Sequence, residues 1–128
     1  RILLGGAGLL ASQLAIPSWA QSEPQMANDF WLRPRTLRMR HSSGDRIQAM
    51  YWSDGQVVRA GYEELSWFMR DRVDGAAVYV DPILLDIGFA IGGWLAFFDL
   101  DATLVLTSGH RTKRRNSVLE GAAKDSEH

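Results

Sequence analysis

Residues 35–55 read RTLRMRHSSGDRIQAMYWSDG, and the alternation within them decides the fold. Leu37 and Met39 interleave with Arg38 and Arg40, while Ile47, Ala49 and Tyr51 interleave with Gln48 and Met50. Successive side chains of a strand point to opposite faces, so this period of two predicts two half-buried strands. Ser42-Ser43-Gly44-Asp45 between them carries turn chemistry, which makes the pair a hairpin. Ser53-Asp54-Gly55 ends the second strand.

Downstream the period changes. Across residues 60–73, Tyr62, Leu65, Phe68 and Met69 recur at helical spacing among charged residues, which predicts an amphipathic helix. Asp74-Gly75 breaks it. Asp81-Pro82 then predicts a new helix start, a capping carboxylate followed by proline in the first turn. The run from Ile83 to Phe98 is apolar nearly all round, so this helix is expected at the centre of the domain. Gly88, Gly92 and Gly93 weaken it but permit close packing. Residues 102–109 read as a buried strand and 115–121 as a last helix. Strand, strand, helix, helix, strand, helix is an α+β order.

Upstream, residues 1–20 form an apolar and small-residue run behind a single arginine and end in Ser18-x-Ala20. This pattern predicts an export signal cleaved after Ala20, with a buried N-terminal helix as the alternative. The run is too short and too rich in Gly, Ala and Ser for a good membrane span. Its Arg-x-Leu-Leu-Gly-Gly opening suits a twin-arginine signal lacking its first arginine, so the export route is Sec or Tat. Residues 21–34 read as a linker that docks through Phe30 and Trp31.

The chain has 128 residues, 46% of them hydrophobic and 23% charged, which suits one globular domain. Its net charge of −1 makes no case for a nucleic-acid or membrane-surface partner. Cysteine is absent, so any metal must be held by His, Asp or Glu. The chain contains no phosphate-binding Walker loop, dinucleotide fingerprint, His-Glu-x-x-His pair or Gly-x-Ser-x-Gly elbow. The tryptophans read as core or half-buried residues before they read as a sugar platform. His41, closing a strand, reads as structural or exposed. The cations from Arg111 to Arg115 read as a solvated helix start.

Ser108-Gly109-His110-Arg111 remains as the segment that carries chemistry. It follows a strand, where a turn aims a side chain into a cleft, and arginine suits a carboxylate or a developing oxyanion. Ser126-Glu127-His128 follows closely enough to return to the same mouth. A histidine there can ligate zinc, although catalytic zinc needs three protein ligands.

LTSGHRTKRRNSVLEGAAKDSEH, residues 106–128, resembles the SGYRS…N…GAA…S-x-H segment of the YcbK-like murein peptidases, within the zinc D-Ala-D-Ala peptidase superfamily. RTLRMRHSSGDRIQAMYWSDGQ looks like that family's opening hairpin, and LSWFMRDRVDGAAVYVDPILLD like its next helices. The likeness spans residues 35–128 and implies a Hedgehog-like α+β fold with an antiparallel sheet. It implies that His128 is the first zinc ligand. It also implies that Arg111 holds substrate and polarises the scissile carbonyl, that Asn116 shapes the same loop, and that Ser126, two before the ligand, belongs to the substrate-binding set with them. His110 and Thr112 depart from the family's tyrosine and serine. The family's second and third ligands and its general-base glutamate would lie beyond His128, so the resemblance implies a protein clipped at both ends, or a degenerate gene product. The implied activity is zinc-dependent hydrolysis of peptidoglycan peptide stems in the periplasm or cell envelope. The alternative is an envelope module that binds such stems without cleaving them.

Overall fold

The computed structural model describes residues 29–119 and residue 121. The chain divides into two compact units, Arg1–Phe30 and Trp31–His128, and every element below belongs to the second. Residues 1–20, expected as an export signal, and residues 21–28 of the expected linker lie outside the described residues.

The hairpin forms where the alternation places it, with β1 at Arg35–His41 and β2 at Arg46–Ser53, antiparallel. Leu37, Met39, Ala49 and Tyr51 are buried, and Arg38, Arg40 and Gln48 face solvent. Gly44 closes the turn at φ 99°, a left-handed conformation that costs glycine nothing. At the start of β1 the register shifts: Arg35 pairs with Trp52 and Thr36 with Met50, leaving Tyr51 as the extra residue of a bulge. The chain does not leave the sheet at Gly55. Asp54 and Gly55 both take positive φ, and a two-residue turn of that kind returns β2 into a short β3, Gln56–Val57.

Helix α1, Arg59–Phe68, packs against β2 and buries Leu65, Ser66 and Phe68. It ends five residues before the periodicity suggests. Asp71 takes over the next backbone N–H groups, and its Oδ1 accepts from Val73 and Asp74. Tyr62, at the edge of the apolar stripe, donates its hydroxyl to the Val80 carbonyl at 2.6 Å and stacks on Tyr79.

Helix α2, Pro82–Phe97, starts as predicted: the Asp81 carboxylate accepts from Ile83 N–H at 2.8 Å and Pro82 fills the first turn. Its position differs from the central one its composition suggests. Only Leu85, Gly88 and Phe89 are buried, a single i, i+3, i+4 stripe against β1, while Ile83, Leu84, Ile87, Ile91, Trp94 and Phe97 are exposed. A four-stranded sheet offers one contact surface to a helix, and no described element covers the opposite side of α2. Gly88 brings the helix close, since a methyl group there would stand 3.2 Å from the Leu104 side chain and 3.4 Å from that of Leu37.

Strand β4, Leu104–Leu106, pairs with β1 in parallel, Met39 opposite Leu104 and His41 opposite Leu106. The sheet order is β3-β2-β1-β4 and the sheet is mixed, so the expectation of an antiparallel sheet is corrected here. A parallel neighbour needs a long crossover, which α1 and α2 supply. The expected buried strand is also corrected: β4 is short, lies at the sheet edge and leaves Val105 48% exposed. Helix α3 occupies Lys113–Ser117, earlier than expected, because Thr112 caps it by accepting from the Arg115 N–H. The domain is α+β.

Trp52 is half-buried, but Trp31, which leans on the Phe89 ring, Trp67 and Trp94 are exposed, against the expectation for tryptophan. Among the described residues no helix is long and apolar enough to cross a membrane.

Candidate functional site

The loop from β4 to α3 is built against the end of α1. Gly109 approaches so closely that a methyl group would sit 2.1 Å from the Met69 carbonyl oxygen, and His110 N–H donates to that same oxygen at 2.7 Å. Only glycine allows this approach. Two residues after His110, Thr112 N–H donates to Asp71 Oδ2 at 3.1 Å, and the Thr112 hydroxyl donates to Asp74. Arg114 forms an ion pair with the same Asp74 carboxylate. Two acidic residues in the turn after α1 therefore clamp the loop that carries Arg111.

Asp71 is 5% exposed. Burial alone raises its carboxyl, but the backbone N–H groups of Asp74, Thr112 and Val73, aided by the nearby Arg115 charge, outweigh burial and hold it below the usual carboxylate range. The residue is thus an anionic peg for two turns. The periodicity predicts a helix over residues 60–73 that Asp74-Gly75 breaks, so nothing in that pattern sets Asp71 apart. The available signal was aspartate with glycine four residues on, where carboxylates bond to backbone two and three residues ahead.

Held this way, Arg111 is half-buried and donates from Nε to Ser108 Oγ at 3.0 Å. It stands on the wall of a cleft of about 1430 Å³. The cleft runs between α2, which contributes Leu84, Ile87 and Ile91, and the β4–α3 loop. Asn116, 6% exposed, lines the same cleft, so Arg111 and Asn116 meet at one site. Ser126 and His128, the other residues implied for substrate and metal, lie outside the described residues. The cations after Arg111 are not simply a solvated helix start, since Arg114 is paired with Asp74 and Arg115 is half-buried near Asp71. His41 serves the hairpin turn, its Nδ1 facing Ser43 Oγ at 2.8 Å.

Among the described residues no group of three His, Asp or Glu side chains could hold a metal ion. By themselves they do not fit a zinc centre, and no step through zinc follows from them. What they offer is an apolar trough with a cation at its loop side and a buried amide nearby, an arrangement suited to an extended organic ligand bearing one anionic group.

No protein-family model, curated protein or solved structure matches this chain.

Proposed function

We propose that the protein is an exported, zinc-dependent peptidoglycan peptidase of the kind its sequence resembles, and that the described cleft binds the peptide stem. The observation that supports this reading is the position of Arg111. The Gly109 approach and the Asp71 clamp set its guanidinium on the wall of a large, mostly apolar cleft, with Asn116 on the same wall. A stem peptide offers small apolar side chains and a terminal carboxylate, and guanidinium binds a carboxylate through two parallel hydrogen bonds. In hydrolysis the same guanidinium would face the oxygen on which negative charge develops. The resemblance would make His128 a zinc ligand, and a zinc ion held there would supply Lewis-acid chemistry.

The test is binding, because it does not depend on a complete metal site. A peptide ending in D-Ala-D-Ala, titrated calorimetrically into the full chain, is expected to bind, and its C-terminal amide to bind about tenfold more weakly. Arg111→Ala should erase the difference between the two peptides while leaving the amide's affinity unchanged. Equal affinity of acid and amide for the unaltered protein would overturn the assignment of Arg111 as the carboxylate-binding group.

A further inference from the structure

A second cleft, of about 310 Å³, shares the Ser108–Arg111 loop, and its walls are cationic. Arg70 and Arg72 enter from the turn after α1, Arg111 from the β4–α3 loop and Arg115 from α3, with His41 and His110 alongside. All four arginines are half-buried. Like charges gathered around one small space repel, and a bound anion relieves that repulsion.

The described protein groups do so only in part. Arg72 pairs with Asp45. Asp71 lies at the cleft, but its Oδ1 serves Val73 and Asp74 and its Oδ2 serves Thr112. Arg70 spends one donor on the Trp67 carbonyl and rests over the Trp67 ring, and Arg111 bonds the Ser108 hydroxyl. Among the described residues Arg70, Arg111 and Arg115 form no ion pair with a carboxylate. Four guanidinium charges against Asp45 and Asp71 leave an excess of two, on a chain whose total is −1. A tetrahedral oxyanion has the charge to cancel that excess and enough oxygens to engage several guanidinium groups at once.

We propose that this cleft binds phosphate, as the free ion or as a phosphoryl group on an organic carrier. Arg111 lies on the wall of both clefts, but Arg70, Arg72 and Arg115 have no part in the peptidase reading, so the site does not depend on it. The ¹⁵N-labelled full chain would be titrated with sodium phosphate, and separately with glycerol 3-phosphate, at constant ionic strength. Backbone amide and arginine Nε–H resonances are followed by NMR. Saturable shifts confined to residues 70–72 and 108–115 are expected. Arg70→Gln and Arg115→Gln should each weaken binding about fivefold. Arg59→Gln, which alters an exposed arginine paired with Glu63, should not. Saturation by both ligands assigns a carried phosphoryl group, and saturation by inorganic phosphate alone assigns the free ion. Shifts that never saturate would overturn the proposal, as would an equal loss in Arg59→Gln, which would mean a response to net charge alone. Should Arg115→Gln lose its dispersed spectrum, Arg70→Gln decides: unchanged affinity in that variant overturns the site.

Discussion

Both oxygens of the Asp71 carboxylate are occupied by backbone N–H groups, from Val73 and Asp74 on one side and Thr112 on the other, across 41 positions of sequence. Such a group couples loop order to its own ionisation. Its folded pKa is lowered, so the stability it contributes is fully present above the unfolded value near 4 and is lost as pH falls through the lower folded value. Acid titration of the unfolding free energy should therefore show a decline below about pH 4. Asp71→Asn should flatten that part of the curve and cost about 2 kcal/mol at neutral pH, because either orientation of the amide sets its NH₂ against a backbone donor. A variant with wild-type acid sensitivity would show that other carboxylates govern it.

Beside the apolar stripe of Leu85, Gly88 and Phe89, a polar knot ties α2 to the hairpin. Asp86 on α2 accepts from Arg35 Nη1 at 2.7 Å and from the Tyr51 hydroxyl at 2.8 Å. The Arg35 guanidinium lies 4.1 Å from the Trp52 ring centroid and 5.0 Å from that of Trp31, and the Arg35 side chain is only 13% exposed. Burial, then the hydrogen bond to Asp86, pushes the Tyr51 phenol well above its usual value, so it stays a donor. The β2 bulge at Tyr51 is the local device that coincides with this contact. Asp86→Ala should be the more harmful change, at about 3 kcal/mol, because it leaves a buried cation uncompensated. Tyr51→Phe removes one hydrogen bond to a charged acceptor and should cost about 1.5 kcal/mol. Urea unfolding of the two variants checks the order. The reverse order would place the energy of the joint in the hydroxyl and not in the ion pair.

Across the whole molecule, nine apolar side chains are buried among the described residues, whereas one face of α2 and the strand β4 remain open. Ile83, Leu84, Ile87, Ile91, Trp94, Phe97 and Phe98 are each at least 46% exposed, and β4 is an edge with little to protect it. Continuous apolar surface of this kind favours association. Light scattering on the full chain should show concentration-dependent self-association together with binding of a hydrophobic dye. The pair Ile87→Glu and Ile91→Glu should reduce both with less than about 1 kcal/mol change in stability, since these side chains are largely solvated in the monomer. A monodisperse monomer that ignores the dye would show that this face is shielded.

At the same scale, sequence alone determined what local rules control. Leu37, Met39, Ala49 and Tyr51 fall on the buried side of two strands because a pleat has a period of two, and Asp81-Pro82 starts a helix because its carboxylate and ring suit a first turn. The place of Arg111 after a strand is legible in the sequence, and that of Asn116 only through resemblance. Contacts between distant segments were decided by the tertiary structure. An apolar helix is central only if neighbours surround it, and among the described residues Ile83–Phe98 has a partner on one side alone. The parallel pairing of β4 with β1 depends on the path of two intervening helices, which no period within Leu104–Leu106 records. Asp71, Asp74 and Gly109 acquired their roles only when α1 and the loop after β4 met, since a buried carboxylate and a missing Cβ take their meaning from atoms far away in the chain.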